Sequence, residues 1–326
     1  MLSMPQPFGE RTDAPDRREP GLCHQLLDLH LITLAARLLA ATSRDRPNLV
    51  RAVLSARTMT AAMVAEPRGI TVVTSGDPQV KDYVDAAGVR TYYEAVGSGE
   101  ALLLLHGGLC SIETFGGLIP PLADRYRVYT PERRGHGRTP DVDGPFSYEV
   151  MAQDTIAFLD AIGLRSIHVV GWSDGAMVGL LVALARPDLV RRLVLVGQPV
   201  NQEGLPPEAI EMMKLEKMPD VPPMLRDAYA AVSPDGADHW DVVVDKEWQM
   251  IKREPDLAYT ELGTVSSPTL IVMGEYDFLT VEHAQAVQRA LPVSRVEVVA
   301  GATHALPMEQ PDTLARLVLD FLDEEH

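Results

Sequence analysis

Apolar and polar positions alternate differently in two parts of the chain. Leu26, Leu27, Leu29, Leu31, Leu34, Leu38 and Leu39 recur at spacings that can line one face of a helix, whereas residues 1–22 are rich in Pro, Arg and Asp and predict a loose segment. From Lys81 onward, short β-like runs alternate with helical segments. Residues 83–85 and 89–95 predict an opening antiparallel pair. Further strands are expected at 101–105, 127–130, 166–170, 192–196, 269–273 and 295–299, with helices near 112–123, 148–162, 175–185, 282–290 and 313–322. Several of these strands are continuous apolar runs, as strands covered on both faces are. The alternation breaks once. Between about Gln202 and Ser266, helix-like patterns punctuated by Pro are inserted between the sixth and seventh core strands, which predicts a helical cap over the sheet.

This pattern predicts an α/β fold: a mostly parallel central sheet flanked by helices, with a helical cap insertion and an N-terminal extension. The expected division is an extension over 1–80, a core over 81–201 and 266–326, and a cap over 202–265. Two readings of the extension stay open, a docked helix that could support a homo-oligomer and a dispensable segment ahead of a start near Met59 or Met63. Residues 1–80 hold nine Arg, no Lys and eight acids, so the acidic excess lies beyond them.

Composition narrows the partners. The chain has 326 residues, 46% hydrophobic and 23% charged, which is enough apolar surface for a large core. A net charge of −17 repels phosphate backbones, so no nucleic acid is expected and neutral or cationic ligands are favoured. Cys23 and Cys110 are too few for a disulfide framework, though they could form one bridge, and such low thiol use fits a reducing, cytoplasmic compartment. The most apolar stretch, 25–42, is interrupted by Asp28, His30 and Arg37, so no membrane span is expected. The first twenty residues carry Glu10, Asp13, Asp16 and Glu19 and do not read as a secretory signal.

The strongest chemical signal is an apolar strand running into Gly171-Trp172-Ser173-Asp174-Gly175 and then a helix, the G-x-S-x-G pattern in its required setting. Ser173 is the expected nucleophile, and a serine hydroxyl needs an imidazole to accept its proton. His304, in the Gly301–Pro307 loop after a strand, is the candidate base. Asp277, in Gly274-Glu-Tyr-Asp-Phe278 just beyond another strand, is the candidate group that orients it. Taken singly, a loop His is often a surface residue and an Asp after a strand is often a helix cap. A developing oxyanion needs preset donors. Leu105-His106-Gly107-Gly108 follows a strand, and the backbone N–H of Gly108 is expected to pair with that of Asp174, with Leu109 as the alternative to Gly108. His106 is read as a loop-fixing residue.

These motifs, with Arg134-Gly-His-Gly-Arg-Thr139 after a strand, make the chain resemble the α/β-hydrolase superfamily over about residues 82–325. The resemblance implies an α/β-hydrolase fold, a triad of Ser173, Asp277 and His304, and an oxyanion hole at Gly108 and Asp174. It treats the loop holding His136 as structural. Serine at 173 argues against dehalogenases and typical epoxide hydrolases, which carry aspartate there. The GWSDG spelling is similar to valacyclovirase and biphenyl hydrolase-like enzymes, in which the acid after the nucleophile can receive a substrate amine. For Asp174 the plain alternative is complementing the positive helix end.

Substrate contacts are expected from Gly107, Leu109, Trp172 and, in the cap, Trp240. Met212, Met213, Met218, Met224, Trp248 and Met250 could also face an apolar substrate, although cap core is the commoner role for such residues. No metal spacing of His and Cys and no phosphate loop occurs, so no metal and no cofactor is expected. The function expected is cleavage of a small-molecule carboxylic ester through an acyl-enzyme on Ser173. Lactone, carbon–carbon bond or perhydrolase chemistry on the same triad, and a non-catalytic ligand-binding homologue, are the alternatives.

Overall fold

The computed structural model describes residues 79–219 and 221–324. The readings for the N-terminal extension, including its helix, its role in assembly and Cys23, fall on residues outside that set.

Eight strands form one sheet: β1 Val80–Ala86, β2 Val89–Val96, β3 Ala101–Leu105, β4 Arg127–Pro131, β5 Ile167–Trp172, β6 Val190–Val196, β7 Thr269–Tyr276 and β8 Ser294–Thr303. Their order is β1-β2-β4-β3-β5-β6-β7-β8. The β1–β2 and β2–β4 pairs are antiparallel, and every pair from β4 through β8 is parallel. Ala87 and Gly88 turn β1 into β2 with both φ angles positive, the backbone twist that a two-residue hairpin requires. In the sheet centre, Leu102 to Leu105 and the whole of β5 are buried, because helices cover both faces.

Among the described residues the helices are α1 Ile119–Ala123, α2 Tyr148–Ala161, α3 Asp174–Ala185, α4 Pro207–Met212, α5 Pro223–Val232, α6 Trp240–Ile251, α7 Tyr259–Leu262, α8 Val281–Ala290, α9 Leu306–Glu309 and α10 Pro311–Leu322. One expectation is corrected. Residues 112–123 are not a single helix: a 3-10 turn at Ile112–Phe115 stops at Gly116-Gly117, and α1 starts afresh with Pro at its first turn. Gly destabilises a helix interior, and Pro is tolerated only where its missing N–H is not needed.

Four helices, α4 to α7, lie between β6 and β7. This insertion is tied to the loop after β4. Asp141 accepts from Lys246 Nζ at 2.6 Å and His239 Nε2 at 2.8 Å, Lys246 Nζ also donates to the Val142 carbonyl, and the Tyr148 N–H donates to Glu254 Oε2. Within the insertion, Tyr229 and Trp240 pack with ring centroids 5.3 Å apart, and Val243 and Met250 are fully buried. The parallel strands end on one side of the sheet, and residues following β3, β5, β7 and β8 meet there.

Candidate active site

β5 delivers Ser173 into a turn that α3 continues. Ser173 has φ 54° and ψ −126°, a backbone region that L side chains avoid. Its N–H donates to the Val196 carbonyl of the next strand at 2.8 Å, which holds the turn down. The flanking glycines are sterically required: a Cβ on Gly171 would lie 2.2 Å from the Gly175 carbonyl oxygen, and one on Gly175 would lie 2.1 Å from that of Leu105.

The structure brings together the three residues singled out in the sequence. The Ser173 hydroxyl donates to His304 Nε2 at 3.0 Å, and His304 Nδ1–H donates to Asp277 Oδ1 at 3.0 Å. His304 follows the end of β8 and Asp277 the end of β7. Both are buried, and the imidazole packs against Phe278 and Trp172 at centroid distances of 4.4 and 5.5 Å. The triad opens on a cavity of about 220 Å³ whose lining includes Gly108, Leu109, Ser173 and Asp174 from the core and Met218 and Leu225 from the insertion.

Among the described residues, no protein acceptor takes the backbone N–H of Gly108, Leu109 or Asp174. Leu109 has φ 54°, so the loop after β3 turns sharply beside Ser173. The loop is pinned from behind. His106 Nε2 accepts the Arg133 N–H at 3.2 Å, its Nδ1–H donates to the Gly107 carbonyl, and Arg133 Nη2 donates to that same carbonyl at 2.9 Å. Burial first, then the Arg133 charge, holds the His106 pKa well below the usual histidine range, which suits a neutral structural ring. His136 donates from Nδ1 to the Arg134 carbonyl and stacks on Phe146.

A second buried cluster adjoins the first. Asp174 Oδ1 accepts the Tyr148 hydroxyl at 2.7 Å, and Arg133 Nη2 stands 4.0 Å from Asp174 Oδ2. Glu247 of α6 lies against Asp174, its Oε2 3.8 Å from His136 Nε2. Burial and then the Asp174 charge push the Glu247 carboxyl well above the usual range. Burial also penalises ionised Asp174, but its hydrogen bond with Glu247, the Arg133 charge and the Tyr148 hydroxyl together outweigh that and lower it. The opposite directions are those of two buried carboxyls that resist ionising together. Cys110 is buried and not in a disulfide, and burial pushes its thiol up to about 12, so it offers no thiolate. Among the described residues no group of three or more His, Cys, Asp or Glu is placed to hold a metal ion, and no helix is long and apolar enough to cross a membrane.

The model of the Alpha/beta hydrolase family matches residues 102–317, well over half of the chain. This chain belongs to the alpha/beta hydrolase family. Human serine hydrolase BPHL is 28% identical over 292 residues, covering 83% of this chain and 97% of that protein. The 2-hydroxy-6-oxo-6-(2'-aminophenyl)hexa-2,4-dienoic acid hydrolase of Metapseudomonas resinovorans is 27% identical over 268 residues, covering 74% and 91%. Among solved structures, the CarC serine hydrolase involved in carbazole degradation matches with a TM-score of 0.62 at 25% identity, covering 75% of this chain and 99% of that one.

Three of the four substrate contacts expected in this hydrolase, Trp172, Trp240 and Gly107, do not line the cavity. Trp172 is 1% exposed and sits beneath the turn, where its indole Nε1 donates to the His304 carbonyl at 2.8 Å. It packs on Gly107, where an added Cβ would lie 2.8 Å from the ring, so it supports the site and does not line the cavity. Trp240 is buried against Tyr229 inside the insertion and is likewise not a lining residue. Gly107 itself faces Trp172, whereas Leu109 does line the cavity. Sequence reading passed over Glu247, Arg133 and Tyr148. For Glu247 a signal existed: it stands at helical spacing in the buried stripe Val243, Glu247, Met250 of α6, where a carboxyl has no structural reason to be.

Proposed function

We propose that this hydrolase cleaves a carboxylic ester through an acyl-enzyme on Ser173. The observation that carries the reading is the continuous hydrogen-bonded line from the Ser173 hydroxyl through His304 to Asp277, with Ser173 facing the cavity. His304 Nε2 takes the hydroxyl proton as Ser173 Oγ attacks the carbonyl carbon. Asp277 holds the imidazole in the tautomer whose Nε2 is free to accept, and balances the imidazolium. The N–H of Asp174, with that of Gly108, or of Leu109 in its place, receives the negative oxygen. His304 then gives its proton to the leaving alcohol, and water activated by the same nitrogen releases the acid.

The insertion serves as the cap that shapes the substrate site, since Met218 and Leu225 share the cavity with Ser173. The carboxyls of Asp174 and Glu247 on the same wall favour an acyl group bearing an amine over an anionic one. Carbon–carbon bond cleavage on the same triad is the competing reading, favoured by the likeness to the Metapseudomonas enzyme.

Ser173→Ala tests the core of this. Turnover of neutral and aminoacyl esters is expected to fall by about 10⁴-fold or more with the circular dichroism spectrum unchanged. Retained turnover removes the mechanism. Product analysis on ester, lactone and vinylogous diketone substrates separates the bond classes.

A further inference from the structure

The peptide joining Gly107 to Gly108 is loaded at its oxygen and bare at its nitrogen. The Gly107 carbonyl accepts two hydrogen bonds, from His106 Nδ1–H at 2.8 Å and from Arg133 Nη2 at 2.9 Å. The Gly108 N–H donates to no protein acceptor among the described residues. Glu254–Pro255 is the one cis bond among the described residues, so this peptide is trans and its C=O and N–H point in opposite directions. With the oxygen aimed back at His106 and Arg133, the N–H is aimed the other way, and Gly108 lines the cavity beside Ser173. The next peptide lacks this loading. The Gly108 carbonyl, at the far end from the Leu109 N–H, accepts no hydrogen bond from the protein among the described residues.

Fixing the loop does not account for the Arg133 side chain. His106 Nε2 accepts the Arg133 backbone N–H at 3.2 Å, a contact that any residue except proline would make. The guanidinium itself is 3% exposed, and its Nε and Nη1 are buried without a hydrogen-bond partner. Burying a cation with donors unmade is costly, so its place calls for a use of the charge. Two uses are open to it. A charge-assisted hydrogen bond is about twice as strong as a neutral one, and a donor on a carbonyl polarises the whole amide, which strengthens the N–H at its far end. Arg133 Nη2 also stands 4.0 Å from Asp174 Oδ2, a carboxylate on the residue next to Ser173. Negative charge there opposes a developing oxyanion, and the cation beside it offsets that field.

We propose that Arg133 is a positioning residue for the oxyanion hole: its guanidinium polarises the Gly107–Gly108 peptide, so that the Gly108 N–H, not that of Leu109, meets the developing oxyanion as a strengthened donor, and it screens the Asp174 carboxylate from that oxygen. This rests on the ester reading, in which a tetrahedral oxyanion forms on Ser173. The effect belongs to the transition state, because the ester carbonyl carries little charge before attack. Removing an oxyanion donor outright costs about 10²–10³ in kcat; a donor that stays in place but loses its polarising partner should cost less, about tenfold.

The test uses the full chain, the variant Arg133→Gln and the uncharged ester 4-nitrophenyl acetate. Here kcat is expected to fall about tenfold with KM held within about twofold. Two ketones separate this from a loosened loop. A hexyl trifluoromethyl ketone is attacked at its carbonyl carbon by Ser173 Oγ, its oxygen becomes an oxyanion and the hydroxyl proton passes to His304 Nε2, whereas hexyl methyl ketone binds without that addition. Arg133→Gln should weaken the trifluoromethyl ketone about tenfold and leave the methyl ketone unchanged. Equal weakening of both, or of neither, overturns the proposal. A further readout needs no substrate. With glycine labelled at carbonyl carbon and amide nitrogen, only the Gly107–Gly108 and Gly116–Gly117 peptides join two labels, and Gly116→Ala, which meets only ordinary contact, tells them apart. The Gly108 nitrogen resonance should move upfield in Arg133→Gln, and an unmoved resonance likewise overturns the proposal. Where the single variant fails to fold with Asp174 left bare, the neutral pair Arg133→Gln with Asp174→Asn is compared with Asp174→Asn alone, and the same tenfold loss of the trifluoromethyl ketone is expected. A wild type that hydrolyses no ester and takes up no trifluoromethyl ketone removes the ester reading itself. Normal wild-type turnover with an unmoved resonance removes only the part given to Arg133.

Discussion

The indole of Trp172 donates to the backbone carbonyl of His304 at 2.8 Å, so the residue just before Ser173 holds the main chain of the imidazole that meets the Ser173 hydroxyl. Ser173 and His304, 131 residues apart in sequence, thereby share one buried anchor. Trp172→Phe keeps an aromatic ring and leaves the His304 carbonyl without its donor. Stability should fall by about 1–3 kcal/mol, the usual cost of a bare buried polar group. The rate constant kcat should drop about tenfold with KM little changed, because the imidazole loses its set position and no substrate contact is removed. Denaturant melts and steady-state kinetics read both effects. An unchanged kcat removes the positioning role.

Ser173 carries backbone strain that glycine would not. Ser173→Gly and Ser173→Ala should both be inactive, and their stabilities should separate them. The glycine variant should be more stable than the alanine variant by roughly 1 kcal/mol, since relief at φ 54° exceeds the added entropy of the unfolded chain. Equal denaturation midpoints would mean that the turn is not strained.

Acid should destabilise this hydrolase through two buried histidines. His283 Nε2 accepts the Val200 N–H and its Nδ1 meets the Tyr259 hydroxyl, while burial lowers its pKa to about 4, as burial and Arg133 do for His136. In the unfolded chain both return to about 6.5. The unfolded state then binds more protons across that window. The stability they contribute is full above about pH 6.5 and is lost as pH falls toward 4, on the order of 3 kcal/mol for each. His283→Gln should lower stability at pH 7 yet flatten the slope between those limits by about one proton. Urea melts across the range measure it, and an unaltered slope counts against the assignment.

Asp141 fastens the insertion to the core through Lys246 and His239. Asp141→Asn removes the charge from a nearly buried carboxylate and should loosen that attachment at a cost of about 1–3 kcal/mol. The expected signature is a several-fold rise in KM with kcat held within about twofold, together with faster amide exchange across 237–251. Unaltered exchange there means that the insertion is held by its apolar packing alone.

Much of this arrangement was legible in the linear pattern, for identifiable reasons. Ser173, Asp277 and His304 each follow an apolar run that a covered parallel strand demands, so their grouping at one sheet side follows from topology. Trp172 misled because nearness in sequence to Ser173 suggested nearness to the cavity, whereas β5 is buried on both faces and consecutive side chains diverge. Trp240 misled because an amphipathic helix shows which stripe is buried without showing whether neighbours or a ligand bury it. The Asp174–Glu247 pair was illegible for a stronger reason. Two like charges brought together by a distant insertion contradict every pairwise rule until Arg133 is placed beside them. The helix expected over 112–123 failed locally, at Gly116-Gly117, where intrinsic propensity outweighed the surrounding apolar periodicity.

The insertion enters and leaves the core at the ends of two neighbouring strands, β6 and β7, and contributes neither Ser173, Asp277 nor His304. On the proposed reading the bond-making groups lie wholly in the core, whereas the cavity beside them takes one part of its wall from the insertion. Exchanging one contiguous block between relatives could redirect such a catalyst to new compounds while its reactive machinery passes through intact.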